Sequence, residues 1–288
     1  MASRIKCVRP IVIKHEGRRS TVRCGRCGGC RVRHKMSWTG RNLLEQKDHA
    51  HSRVVTLTYA EEKDQQSQLC YKHIQDFLKI HRNNVDHKVR YFVVGEYGEN
   101  SGHAHWHMIL FGEKSWQPEH MRNAVFCNLK GWTDTHGFAS CMRLVPASAA
   151  YTVGYTLKKG LNQSPFMRCS LKPSIAFNRI DDFAEATFKS IGTKPIQAPT
   201  WLNLNGKKYP MNDGALRRFK KTFIEVGGVL LEQSKEYRDA MAQIYLQSDE
   251  YISEKTELML KRDRKANQYG ETPEEKARRT FKGGKSRI

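Results

Sequence analysis

Residues His103-Ala-His105-Trp-His107-Met-Ile-Leu-Phe111 alternate polar and apolar side chains and then run apolar to Phe111. A two-residue period suits a strand, on which positions i and i+2 share a face. His105 and His107 therefore point the same way, and Trp106 points to the opposite face, into the core. His103 shares the face of the pair. A second run, Val89-Arg-Tyr-Phe-Val-Val-Gly95, precedes it across the turn Gly98-Glu-Asn-Ser-Gly102. The two runs predict an antiparallel hairpin, with Glu96 on the strand beside the histidines.

The flanking segments extend this sheet. Arg53–Tyr59 is rich in β-branched residues and reads as a strand. Gln65–Arg82 carries Leu69, Ile74, Phe77, Leu78 and Ile80 near helical spacing. Gln117–Cys127 reads as a short helix, Phe138–Leu144 as a strand and Ala147–Lys159 as a helix. The order over residues 53–160 is β-α-β-β-α-β-α. That predicts an α+β fold resembling the split β-α-β arrangement of ferredoxin-like proteins, an antiparallel sheet with helices on one face. Ahead of it lies an irregular, cysteine-containing segment, then a helix from about Val32 to Lys47. Beyond residue 200, Trp201–Pro210 reads as a strand pair turning at Asn205-Gly206. Ala215–Glu225 and Lys235–Lys265 read as helices. The expected divisions are 1–49, basic and Cys-rich; 50–200, the sheet core; 201–266, a mainly helical extension; and 267–288, a basic, disordered tail.

Charge narrows the partners. The net charge is +21, and residues 1–49 carry 13 Lys/Arg against 3 Asp/Glu. Residues 261–288 carry 10 against 4. Basic ends around a more neutral middle suit a polyanion, whose phosphates supply sequence-independent affinity. No apolar run approaches the length of a membrane span, so no membrane partner is expected. Met1–Pro10 holds three basic residues and no apolar core, so a secretory signal is not expected and a cytoplasmic location is. Disulfides are then not expected either, and Cys70, Cys127, Cys141 and Cys169 read as small buried residues.

Three constellations could carry chemistry. Glu96, His105 and His107 offer two imidazoles and a carboxylate to a divalent cation such as Mn²⁺ or Zn²⁺, with positions left open to polarise a phosphate. Tyr151-Thr-Val-Gly-Tyr155-Thr-Leu-Lys158-Lys159 places Tyr151, Tyr155, Lys158 and Lys159 along one helical face. A neighbouring ammonium lowers the pKa of a phenol and can hold a phosphate oxygen. Cys24-x2-Cys27-x2-Cys30 has the spacing of a structural zinc half-site, with Cys7, His15 or His34 as the fourth ligand and an iron–sulfur cluster as the rival. The basic residues Arg31, Arg33 and Lys35 that follow are candidate DNA contacts.

Taken in order, Thr56-Leu-Thr-Tyr59, Glu96 with His105-Trp-His107, and Tyr151-x3-Tyr155-x2-Lys158-Lys159 resemble the three rolling-circle replication motifs of HUH endonucleases. The chain is most similar to the replication initiators of the microviruses, in particular the gokushovirus-like group. Cys-x2-Cys-x2-Cys followed by Trp38, and Gly95-Glu-Tyr-Gly98, are also similar to that group. Relatives often carry a basic residue and proline where His103-Ala104 stand here. The resemblance implies a ferredoxin/RRM-like HUH core and a Mg²⁺ or Mn²⁺ held by His105, His107 and Glu96. It implies site-specific nicking and rejoining of single-stranded origin DNA through a 5′-phosphotyrosine on Tyr151 or Tyr155, aided by Lys158 and Lys159. It implies a host helicase and polymerase as partners and the host bacterial cytoplasm as the location. Rejoining would need no ATP, which agrees with a chain lacking a Gly-x4-Gly-Lys-Ser/Thr loop. Two other readings remain open on the residues: an HUH transposase or relaxase, and a non-catalytic zinc-containing nucleic-acid-binding protein.

Overall fold

A computed structural model describes residues 5–15, 18–60, 68–98, 102–112, 124–157 and 166–233; the side chains of His15 and 18–20 are outside the description. The described residues fall into two compact units. The first comprises residues 5–34 with 193–197 and 228–233, and the second comprises 35–192 with 198–227. No helix among the described residues is long and apolar enough to cross a membrane.

In the first unit, β1 (Ile11–His15) and β2 (Arg18–Val22) form an antiparallel hairpin in a stretch whose sequence reads as irregular. Helix α1 (Gly28–Gln46) starts in this unit, and its residues from Lys35 onward belong to the second.

The second unit is α+β. Its elements are β3 (Ser52–Tyr59), α2 (Tyr71–Asn83), β4 (Arg90–Tyr97), β5 (Ala104–Phe111), β6 (Val125–Phe126), β7 (Gly137–Arg143), α3 (Pro146–Gly154), β8 (Phe166–Cys169), α4 (Phe177–Ile191), β9 (Trp201–Leu204), β10 (Lys207–Pro210) and α5 (Asp213–Glu225). Six strands form one antiparallel sheet in the order β6-β7-β3-β5-β4-β8. The histidine-bearing β5 is therefore central, between β3 and β4. The strand pair β9–β10 turns at Asn205-Gly206 as its sequence predicts, with Asn205 and Gly206 at φ 51° and 77°.

Both sheet faces are covered, which corrects the expectation of helices on one face. Ile74, Phe77 and Leu78 of α2 pack on the face that carries Leu57, Trp106 and Met108. On the other face, Trp38 of α1 meets Phe92 with ring centroids 5.4 Å apart, and α3 overlies His107. The reason is in β5, where every residue from Trp106 to Phe111 is buried: a strand apolar on both sides must be covered on both. Gly95 is required beneath this packing, because a Cβ there would lie 2.8 Å from the Trp106 ring.

A buried ion network ties α1 to the loop before α4. Glu45 pairs with Arg90, approaches His49 Nε2 at 3.2 Å and accepts the Ala176 amide at 2.6 Å. Arg41 donates to the Ile175 carbonyl at 2.6 Å and to Ser174 Oγ at 2.8 Å.

Two further expectations are overturned. Val125–Phe126, read as the end of a helix from Gln117 to Cys127, is strand β6 paired with β7; residues 113–123 lie outside the described residues. The cause is tertiary: a β-branched and an aromatic residue add to the exposed edge of β7. That pairing brings Cys127 to Cys141, and the two are joined in a disulfide. Cys169 is buried as expected, and Cys70 is half-buried. The expected helix Lys235–Lys265 and the tail lie outside the described residues.

Candidate active site and metal-binding cysteines

The strand register assembles the first constellation. Glu96 on β4 pairs with His105 on β5, which pairs with Thr58 on β3. One step along, Val94, His107 and Thr56 form the next row. All six side chains share a face. His107 Nε2 lies 3.1 Å from Glu96 Oε1, and both side chains are largely buried. With Nε2 donating to the carboxylate, neutral His107 accepts at Nδ1 from Thr56 Oγ1, 3.3 Å away. His105 Nδ1 meets Thr58 Oγ1 at 3.4 Å.

Both imidazoles thus have Nδ1 engaged by a threonine and Nε2 left to face a ligand, the outer-shell arrangement that orients metal-binding histidines. Burial, followed by the neighbouring His107, pushes the His105 pKa down, while Glu96 pulls the other way. His105 is therefore neutral at physiological pH, with a lone pair to offer. The donor set suits a divalent cation with open positions. The three donors are not gathered as tightly as the cysteines described below. Thr56 and Thr58, positioned by β3, have no role assigned from sequence, although their period-two spacing on a strand was visible.

The tyrosines lie over this face. Pro146 opens α3, Ser148 Oγ accepts the Val145 amide at 2.9 Å, and the helix ends at Gly154 rather than at Lys159. Residues 155–157 continue as one 3₁₀ turn. Tyr155 is buried, its ring stacked on His107 with centroids 3.7 Å apart. Its hydroxyl donates to that of Tyr151, which is 56% exposed. An unbroken run of contacts therefore leads from Glu96 through His107 and Tyr155 to an exposed phenol. Lys158 and Lys159 lie outside the described residues.

Another cation is present. A Cβ built at Gly154 would lie 3.3 Å from Lys35 Nζ, so glycine here admits the lysine beside the tyrosine turn. Arg31 and Arg33 sit on the first turns of α1, within the first unit. Nothing in the sequence linked Lys35 to the tyrosines, which are more than a hundred positions away.

The second centre is in the first unit. The sulfurs of Cys7, Cys24, Cys27 and Cys30 all lie within 4.8 Å of one another, and no other His/Cys/Asp/Glu group of three or more does so among the described residues. Cys24–Cys30 and Cys27–Cys7 are 4.0 and 3.9 Å apart. Four thiolates at ~2.3 Å from one tetrahedral ion would stand about 3.8 Å apart. An iron–sulfur cluster spreads its thiolates over different irons, so this spacing fits a single ion. The group could hold a structural metal, and Cys7 is its fourth member.

The acid–base balance agrees. Burial raises the Cys27 thiol, but the Val8 and Cys30 amides and the neighbouring thiols outweigh it and bring its pKa to about 6. Burial, with Cys27 beside it, pushes Cys30 up to about 12. Four thiols this close cannot all ionise unless a cation joins them.

Residues 52–160 match a family model of replication-associated proteins, the ORF2 type. That segment holds the sheet, both histidines and both tyrosines. The chain is similar to replication-associated proteins of phages. It is 34% identical over 100 residues to the replication-associated protein ORF4 of Chlamydia phage 1, covering 33% of this chain and 24% of the relative. It is 30% identical over 159 residues to the replication-associated protein ORF2 of Spiroplasma virus 4, covering 48% of each. The chain thus spans less than half the length of either relative. No solved structure matches the chain significantly.

Proposed function

We propose that the chain is an HUH-type replication initiator that nicks and rejoins single-stranded DNA at a rolling-circle origin. The observation that carries this reading is the contact run Glu96–His107–Tyr155–Tyr151, which joins a cation-binding donor set to two phenols. The strand order of β7, β3, β5 and β4 supports the ferredoxin-like reading of the core, since the first strand lies between the fourth and the third. The similarity to phage replication-associated proteins supports the biological role.

A divalent cation, Mg²⁺ or Mn²⁺, held by His105, His107 and Glu96 would draw charge from the scissile phosphodiester. The protein residues do the rest. Thr56 and Thr58 hold the imidazoles in one orientation. The phenol oxygen of Tyr151 or Tyr155 bonds to phosphorus as the bond from phosphorus to the 3′ oxygen breaks. The phenolic proton is lost to solvent, and the leaving 3′ oxygen takes one up. The products are a 5′-phosphotyrosine and a free 3′-hydroxyl. Attack of a 3′-hydroxyl on the phosphotyrosine reverses the step and restores a phosphodiester. Two tyrosines within one hydrogen bond allow a second cut before the first end is released. Lys158 and Lys159 are assigned to the phosphate, and Arg31, Arg33 and Lys35 to the DNA backbone. The free 3′-hydroxyl suits a host polymerase, with a host helicase opening the duplex in the bacterial cytoplasm.

The test is incubation with Mn²⁺ and circular single-stranded DNA carrying the origin, read on denaturing gels. Wild type should give a covalent protein–DNA band. Tyr151→Phe and Tyr155→Phe should each keep some adduct but release no closed circle, and the double variant should give neither. Tight DNA binding without an adduct under any divalent metal would instead make this a binding protein.

A further inference from the structure

Two phenylalanines are exposed on the face that carries the histidines. Phe138 on β7 is 57% exposed and Phe126 on β6 is 80% exposed. Their orientation follows from register. Phe138 pairs with Thr58, which pairs with His105, which pairs with Glu96, so these four side chains form one row across four strands. Phe126 pairs with Ser140, which pairs with Thr56, in the row of His107. Both rings therefore stand on the histidine face, toward its β6 edge. Phe138 lies two strand spacings, about 10 Å, from His105.

Between the two rings opens a cavity of about 890 Å³, with Thr58, Asn128 and Thr133 supplying polar atoms to its lining. Thr133 Oγ1 donates to Asn128 Oδ1, which fixes the amide's oxygen. The Cys127–Cys141 disulfide anchors the strand that carries Phe126. Two exposed aromatic rings beside an open cavity are a cost to a soluble surface unless something covers them.

We propose that this cavity is a nucleobase-binding site, in which Phe126 and Phe138 stack on an unpaired base of the DNA strand held at the histidines. The proposal rests on the single-stranded DNA reading above. The occupant follows from the page: the rings continue the row of the cation donors, and the chain's net charge of +21 favours a polyanion. An aromatic wall accepts any base through its π-face, while the Asn128 amide and the Thr58 and Thr133 hydroxyls can discriminate base edges. The site would thus contribute to choosing where the strand is cut.

The test uses the full chain and two fluorescein-labelled probes of roughly 12 nucleotides, within the footprint of such sites. One is oligo(dT), the other an abasic oligomer with the same phosphates. Wild type should bind oligo(dT) more tightly. The double variant Phe126→Ala/Phe138→Ala should lose about tenfold or more on oligo(dT) and nothing on the abasic probe, and Phe138→Tyr should bind as wild type. An equal loss on both probes, or none, overturns the proposal. So does a change in oligomeric state on size exclusion with DNA affinity intact, which would make the rings a contact between copies. The covalent adduct is scored separately on wild type. An adduct without base-dependent binding removes the pocket alone, and base-dependent binding without an adduct removes the catalytic reading alone.

Discussion

The imidazole of His107 lies flat on the phenol ring of Tyr155, with centroids 3.7 Å apart and planes 4° from parallel. The same imidazole reaches Glu96, so the tyrosine helps to orient a proposed cation ligand as well as offering a nucleophile. The two roles separate by substitution. Tyr155→Phe keeps the ring and loses the hydroxyl, so Mn²⁺ affinity by calorimetry should stay within about twofold of wild type. Tyr155→Ala loses the stack as well and should weaken Mn²⁺ binding about tenfold. Equal Mn²⁺ affinity in both variants would leave Tyr155 no part in positioning His107.

Thr56 makes a sharper case, since it touches neither DNA nor tyrosine and meets His107 only at Nδ1. When Nε2 donates to Glu96, the hydroxyl donates to Nδ1; when Nε2 turns its lone pair to a cation, the hydroxyl can accept from Nδ1–H. Thr56→Val keeps the shape of the side chain and removes that hydrogen bond. The Mn²⁺ concentration giving half-maximal adduct should rise about 10- to 100-fold, with saturating activity largely kept. An unchanged metal requirement would show that β3 supports the histidines sterically only.

Much of this face is legible in the sequence because it depends on short-range periods. The alternation of His105, Trp106 and His107 determines which side of β5 is polar, and the spacing of Tyr151 and Tyr155 puts both phenols on one side of a helix. Relationships set by long-range register are not legible. Nothing local places Phe126 and Phe138 beside the histidines, joins Cys127 to Cys141, or brings Glu45 to an amide 131 positions away. Helix α4 is a different case: Ile180, Phe183, Ala184 and Phe188 carry helical spacing, a local signal from which no helix was expected.

Glu45 gives the molecule an acid limit. Burial raises its pKa, but the His49 and Ala176 hydrogen bonds and the Arg90 guanidinium outweigh this and hold it below the usual carboxylate range. A depressed folded-state pKa contributes stability that is fully present above the unfolded value, about 4.3, and is lost as pH falls through the folded one. Wild type should therefore lose melting temperature below about pH 4 through this group. Glu45→Gln should start lower, by about 3–5 kcal/mol for a broken buried pair, and show a shallower acid slope. Parallel melting profiles from pH 7 to 3 would mean that other groups set the acid limit.

The four cysteines bind their ion for stability rather than for cutting, because they belong to the unit that lacks the histidines and tyrosines. Zinc is the expected ion: thiolate-only tetrahedral sites favour it, and the sulfur spacing leaves no open position for a substrate. Purified protein should carry one zinc per chain by elemental analysis. Cys30→Ser should carry much less and melt several degrees lower, because binding free energy at such a site is folding free energy. The chemical step should persist: at a temperature where both proteins are folded, saturating Mn²⁺ should give the variant a single-turnover adduct rate within about twofold of wild type. If the variant is folded and origin-bound yet forms adduct a hundredfold more slowly, the cysteine centre takes part in the reaction and the division of labour between the two units is wrong.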